Sequence, residues 1–232
     1  MKNRIVLFLL SAACLFCGCG NKKSICFKGT VSEADGRFMV VSRVGPDGTE
    51  VLDSARIEKG CFKLVIPTQD AEPAFYCLSL SEDNGFTTLA RQGETLTLKA
   101  ESGSLVRSYH ITGGEDAALM EKLDRQLSLF ADSVETLREL FLSTGNDTVH
   151  AQIEKAYLQL KANHTAFLRD FILQNMHSLA CMPAFYQCYD NAVFFDEKQD
   201  AKLLLQMAEA LKKKYPDNLN VKWLEKEIQN IK

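Results

Sequence analysis

The sequence predicts an α+β fold: an N-terminal antiparallel β-sandwich or open barrel, then a C-terminal helical region containing a long antiparallel helix pair. Two observations carry the prediction. From Ile25 to Gly113, β-branched and aromatic residues alternate with polar ones, and turn chemistry recurs every eight to fifteen residues. After Gly113-Gly114 the apolar spacing changes to alternating threes and fours, the period of a helix.

The strands are read in order. "ICFKGTV" precedes the turn Ala34-Asp35-Gly36 and "RFMVVSRV"; Gly45-Pro46-Asp47-Gly48 then turns the chain into "EVLDSARIE". Lys59-Gly60 leads into "CFKLVIP", where Phe62, Leu64 and Ile66 should face inward while Cys61 and Lys63 face out. In "ICFKGTV" the inward set is Ile25, Phe27 and Val31, with Cys26 and Lys28 outward. Beyond Pro73 come "AFYCLSL", the turn Asp83-Asn84-Gly85, "FTTLARQ", Gly93-Glu94, "TLTLKA" and "VRSYHIT", each expected as a strand.

The helical half begins with the stripe Met120, Leu123, Leu127, Phe130, Val134, Leu137 and Phe141. Ser143-Thr144-Gly145-Asn146-Asp147 breaks it, a connection short enough to make the next helix antiparallel. That helix should bury Ile153, Ala156, Leu160, Phe167 and Phe171, with polar Asn163 within the stripe. Shorter helices follow: one near Pro183, which suits a first turn, one from about Lys198 to Lys214, and one from about Leu219 to Ile231.

The chain opens MKNRIVLFLLSAACLFCGCGNKKS. Lys2 and Arg4 form a positive n-region, and the apolar run from Ile5 to Phe16 is too short to span a bilayer, which needs about 20 residues. Cys17-Gly18 before Cys19 resembles a bacterial lipobox, with Phe16 where Leu is usual. The organisation expected is a lipoprotein signal peptide over 1–18, lipidated Cys19 with a polar tether over 19–24, the sandwich over 25–113 and the helical region over 114–232. Cys14 and Cys17 then leave with the signal peptide. A triply acylated Cys19 would hold the protein at a membrane, since each buried CH₂ adds about 0.8 kcal/mol.

Removing residues 1–18 takes two cations and no acid, so the side-chain charge goes from −3 to −5. A mildly acidic, unpatterned surface argues against nucleic acid as a partner. Five cysteines remain besides Cys19, an odd number that argues against a disulfide scaffold. Cys26 and Cys61, outward on their strands, are candidates for a cross-strand disulfide; Cys181 and Cys188 are too far apart on one helix to pair. His110, His150, His164 and His177 show no metal-ligand spacing, and no nucleophile, phosphate-loop or dinucleotide motif occurs, so no cofactor, metal or catalytic residue is assigned. Gly113-Gly114 reads as the hinge between sheet and helix. In "PAFYQCYDNAVFF", Phe185, Tyr186, Tyr189, Phe194 and Phe195 could line a ligand groove or pack between short helices.

The stretches Phe27-Lys28-Gly29, "GTEVLDSARIEKGCFKLVIP", "PAFYCLSL", "RQGETLTL" and "YHITGGEDAALM" resemble the domain of unknown function 4369 family. The matching positions are Phe27 and Gly29; Asp53, Ser54, Ile57, Gly60 and Phe62; and Ile111 and Gly113, with Gly114 replacing the usual Ser. "FILQNMHSLACMPAFYQ" and "LKKKYPDNLNVKWLEKEI" are similar to the segment that joins this domain to a thioredoxin-like domain in bacterial envelope lipoproteins. In those relatives W-C-x-x-C follows; here the sequence ends at Lys232 and Trp223 has no neighbouring cysteine. The resemblance therefore implies their non-catalytic front half. It implies a bacterial envelope protein, lipid-anchored at the outer membrane facing the periplasm, acting as a binding or interaction module. A thioredoxin-like lipoprotein is the expected protein partner. The alternatives are a redox-active envelope protein using a mature cysteine, and a structural envelope protein without a small ligand.

Overall fold

A computed structural model describes residues 23–69, 71–190 and 192–231. Two four-stranded sheets form the N-terminal half and helices the C-terminal half, the α+β class expected. The first sheet runs β4 (Cys61–Pro67), β1 (Ser24–Ser32), β7 (Thr95–Glu101), β8 (His110–Thr112). The second runs β3 (Gly48–Arg56), β2 (Phe38–Gly45), β5 (Ala74–Ser81), β6 (Asn84–Ala90). The pairing within these two sheets is antiparallel with one exception: β1 and β7 run parallel, where the chain re-enters the first sheet on the side of β1 away from β4.

The inward alternation holds where one face alone is buried. Phe62, Leu64 and Ile66 are buried and Cys61, Lys63 and Val65 exposed; Ile25, Phe27 and Val31 are buried with them. Phe27 meets Tyr76 of the facing sheet at 5.6 Å between ring centroids, closing the sandwich. Gly29 lies where a Cβ would stand 2.0 Å from the Leu98 carbonyl oxygen of the neighbouring strand, so a side chain is excluded by contact alone.

In the second sheet β5 and β6 are covered on both faces, while the edge strand β3 is mostly exposed. Tyr76 and Leu78 of β5 enter the sandwich core, while Phe75, with Leu89 of β6, enters a second core made by the helices. The result is three layers, sheet on sheet on helix. The change of period falls between Thr112 and Glu115. Gly113 adopts φ +103°, and its Cβ would stand 2.0 Å from the Thr95 carbonyl oxygen, which explains glycine at the hinge.

α2 (Glu115–Ser143) and α3 (Asp147–Gln174) form the antiparallel pair, and Asn146 caps α3 by accepting from the Thr148 and Val149 N–H groups. α4 (Cys181–Phe185), the two-residue strands β9 (Cys188–Tyr189) and β10 (Ala192–Val193), α5 (Ala201–Lys214) and α6 (Leu219–Ile231) complete the layer. Three expectations are corrected. "VRSYHIT" is not one strand: Leu105–Ser108 forms a helical turn, α1, and only His110–Thr112 is extended. Leu105 and Tyr109, four residues apart, are both buried, and Asn84 Oδ1 accepts the Leu105 N–H at 2.8 Å. On α3, Ala156 is exposed and the buried face passes through Ile153, His164, Leu168 and Phe171 instead. Asn163 lies on the surface, accepting from Gln159 at 2.9 Å; a buried histidine had concealed the phase. Lys198 and Gln199 precede α5 in a turn, their N–H groups bonded to the Asp196 carboxylate.

Candidate functional site: an apolar groove between the second sheet and the helices

Short helices and sheet meet at a groove of about 570 Å³. Val44 and Phe75 are register partners on the helix-facing side of the second sheet, and Thr87 of β6 joins them. Met120 and Asp124, one helical turn apart on α2, present one wall. Met182, Pro183 and Tyr186 at α4 and Trp223 of α6 present the other. Tyr186 and Trp223 meet edge to face at 5.9 Å. An apolar lining with a few polar groups, here in an open groove, is the chemistry of a small-molecule site.

Two side-chain polar groups belong to its lining: the Asp124 carboxylate and the Thr87 hydroxyl. Asp124 Oδ2 accepts from the Tyr109 hydroxyl at 2.8 Å. Burial pushes its pKa up to about 6; the Tyr109 hydrogen bond opposes the rise and the Glu121 charge adds to it. The Tyr186 hydroxyl is buried, away from the open groove and beside the Glu197 carboxylate. Burial raises its pKa, and the nearby carboxylates of Glu197 and Glu227 raise it further.

Two polar ties anchor α2 beside the groove. Asp116 in its first turn accepts from the Ser178 hydroxyl at 2.6 Å and from Arg91 at 2.8 Å. Glu121 accepts from the Ile111 N–H at 2.9 Å and from Arg125 at 2.7 Å, with His110 Nδ1 at 3.0 Å. Burial would raise Glu121, but these partners outweigh it and hold the carboxyl below its ordinary value.

Of the five aromatic residues expected to line one groove, Tyr186 alone reaches this one. Phe185, Phe194 and Phe195 are buried. Phe185 stacks on Phe195 at 5.2 Å, whereas Phe194 and Tyr189 pack edge-on against Phe130 at 5.2 and 5.4 Å. The five divide between two packing clusters and mostly fill core, the packing alternative of the sequence reading. A second, more enclosed cleft of about 430 Å³ does border Phe185, Tyr186 and Phe195, rimmed by Asp196, Glu197 and Lys198.

The disulfide candidate is corrected. β1 and β4 are neighbours, but Cys26 lies opposite Val65 and Cys61 opposite Thr30. Four register positions separate them by roughly 13 Å along the strands, beyond the reach of about 7 Å, and both thiols are free. Cys181 is buried, its thiol donates to the Asn175 carbonyl at 2.8 Å, and burial pushes its pKa up to about 12. His164 is buried among Phe130, Phe167 and Phe194, with Nε2 at 2.7 Å from Gln187 Oε1; burial lowers its pKa.

Among the described residues no group of three His, Cys, Asp or Glu is gathered to hold a metal ion. No described helix is long and apolar enough to cross a membrane. Cys19 and the segment 1–18 lie outside the described residues. Sequence reasoning missed Asp124 and Trp223. An acid four residues after Met120, on the edge of the apolar stripe, was the available signal for the first; a lone tryptophan on an amphipathic helix was the signal for the second. Compared with known proteins, the chain matches no family model and no curated protein.

Proposed function

We propose that this protein is a non-catalytic binding module, held at the bacterial envelope through lipidated Cys19, whose ligand occupies the groove between the second sheet and the helices. The observation that carries the reading is the groove itself: apolar walls drawn from both halves of the chain, with Asp124 and Thr87 as its few polar groups. The redox alternative gains little from Cys181. A thiol pushed up to about 12 holds almost no thiolate near neutral pH, and the thiolate is the nucleophile. The resemblance to domain of unknown function 4369 lipoproteins supports the location and a thioredoxin-like lipoprotein as the protein partner. Two of its motif positions, Gly29 and Gly113, are places where this fold admits no Cβ.

Trp223 is the one tryptophan in the chain and lines the groove, so its emission reports occupancy directly. Titration with the neutral fluorophore N-phenyl-1-naphthylamine should give saturable energy transfer from Trp223. Thr87→Phe, which fills the groove from the sheet side, should weaken it. Absence of saturable transfer, or transfer unaffected by Thr87→Phe, would refute the groove as the binding site.

A further inference from the structure

The charges around the groove are unequal. Asp124 is the one charged side chain that lines it. Its Oδ2 is satisfied by a neutral donor, the Tyr109 hydroxyl, and among the described residues no donor meets Oδ1. The cations close to it in sequence are engaged elsewhere. Arg125 is bonded to Glu121 at 2.7 Å and to the Tyr109 carbonyl at 3.0 Å. Lys122 lies over the Phe167 and Phe171 rings, and Arg107 of α1 pairs with Asp132. Glu121, on the same helix, adds negative charge, and Tyr186 across the groove brings no cation. The groove therefore offers an apolar volume with one uncompensated carboxylate in its wall.

We propose that the ligand is a small apolar molecule carrying one cationic nitrogen, which pairs with the Asp124 carboxylate while the apolar body lies against Phe75, Met120, Met182 and Trp223. The inference rests on the binding reading above and specifies its ligand class. The about 570 Å³ available suits a molecule with roughly ten heavy atoms or more. A charge-assisted hydrogen bond in a partly dry site should favour the amine over a neutral isostere by on the order of tenfold or more. Because burial raises Asp124, the preference belongs to the pH range above about 6 and fades in acid as the carboxylate takes up its proton.

The test compares decylamine, decanol and decanoate by calorimetry and by Trp223 emission, at about pH 8 and about pH 4.5, where the amine stays protonated. The expected result is decylamine binding at least about tenfold tighter than decanol at the higher pH, with the preference abolished by Asp124→Asn and by acid. Retained decanol binding by Asp124→Asn shows that the variant is folded with its groove intact. Equal binding of amine and alcohol, or a preference for decanoate, overturns the cationic ligand while leaving the groove as a binding site. Binding of none of the three overturns both readings.

Discussion

Replacing Asp124 by Asn should make the protein more stable above about pH 6, and the size of the gain follows from its surroundings. The folded carboxyl titrates at about 6 against an ordinary value of 3.8. That difference corresponds to at most roughly 3 kcal/mol, at about 1.4 kcal/mol per pH unit. The sign is set by proton uptake. Between about pH 4 and 6 the folded state holds a proton that the unfolded chain has released, so this group's contribution falls as pH rises. Below that window both states are protonated and nothing is lost; above it the buried charge costs its full amount. An Asn side chain keeps an oxygen to accept from Tyr109 and removes the charge, so a gain of about 1–3 kcal/mol is expected at about pH 8, shrinking towards zero near pH 4. Urea unfolding across this range, followed by Trp223 emission and far-ultraviolet circular dichroism, measures it. A variant less stable than the parent at pH 8, or a difference independent of pH, would refute the argument.

Four further outcomes are expected. Gly113→Ala combines φ +103° with a Cβ 2.0 Å from the Thr95 oxygen, so it should cost more than about 2 kcal/mol or prevent folding, read as urea midpoint or soluble yield. Asp116→Ala strands the buried Ser178 hydroxyl and removes the Arg91 contact; discounting that part-exposed cation, the loss in urea unfolding should be about 2–4 kcal/mol. In thiol labelling with peptide mapping, exposed Cys61 and Cys188 should react at once and Cys181 only on unfolding; prompt Cys181 labelling, or insulin reduction dependent on Cys181 or Cys188, would count against a non-enzyme. Cys19→Ala should abolish incorporation of labelled fatty acid, and labelling that persists through Cys14 or Cys17 would show the wrong cysteine was chosen.

Strands with one dry face were legible because alternation is a local consequence of the pleat: Phe62, Leu64 and Ile66 needed no knowledge of their neighbours. Strand register was not legible, since Cys26 and Cys61 lie on adjacent strands in either case and only the pairing places them four positions apart. On α3 the period was right and the phase partly wrong, because His164 is a polar residue on a buried face, and burial there depends on Gln187, far along the chain. The groove was hidden for the same reason. Val44, Phe75, Met120, Tyr186 and Trp223 come from five separate elements or their caps, and nothing local in the sequence brings them together.

Two acids on α2, three residues apart, bear on the proposal that the groove is a binding site. Glu121 is nearly buried and surrounded by donors, so its charge is stabilised and it ties β8 to the helix. Asp124 is part-buried and receives one neutral hydroxyl, and its carboxyl is pushed the opposite way. An apolar residue there would remove the charge penalty but leave the Tyr109 hydroxyl without its acceptor, while Asn would keep that bond without the charge. The helical layer does not need Asp124 to hold its place. Asp116 binds it to Arg91 and Ser178, and Asn218 both caps α6 and donates to the Pro73 carbonyl just before β5. With the layer secured by those contacts, a carboxylate that costs stability and lines an apolar groove supports the proposed binding site.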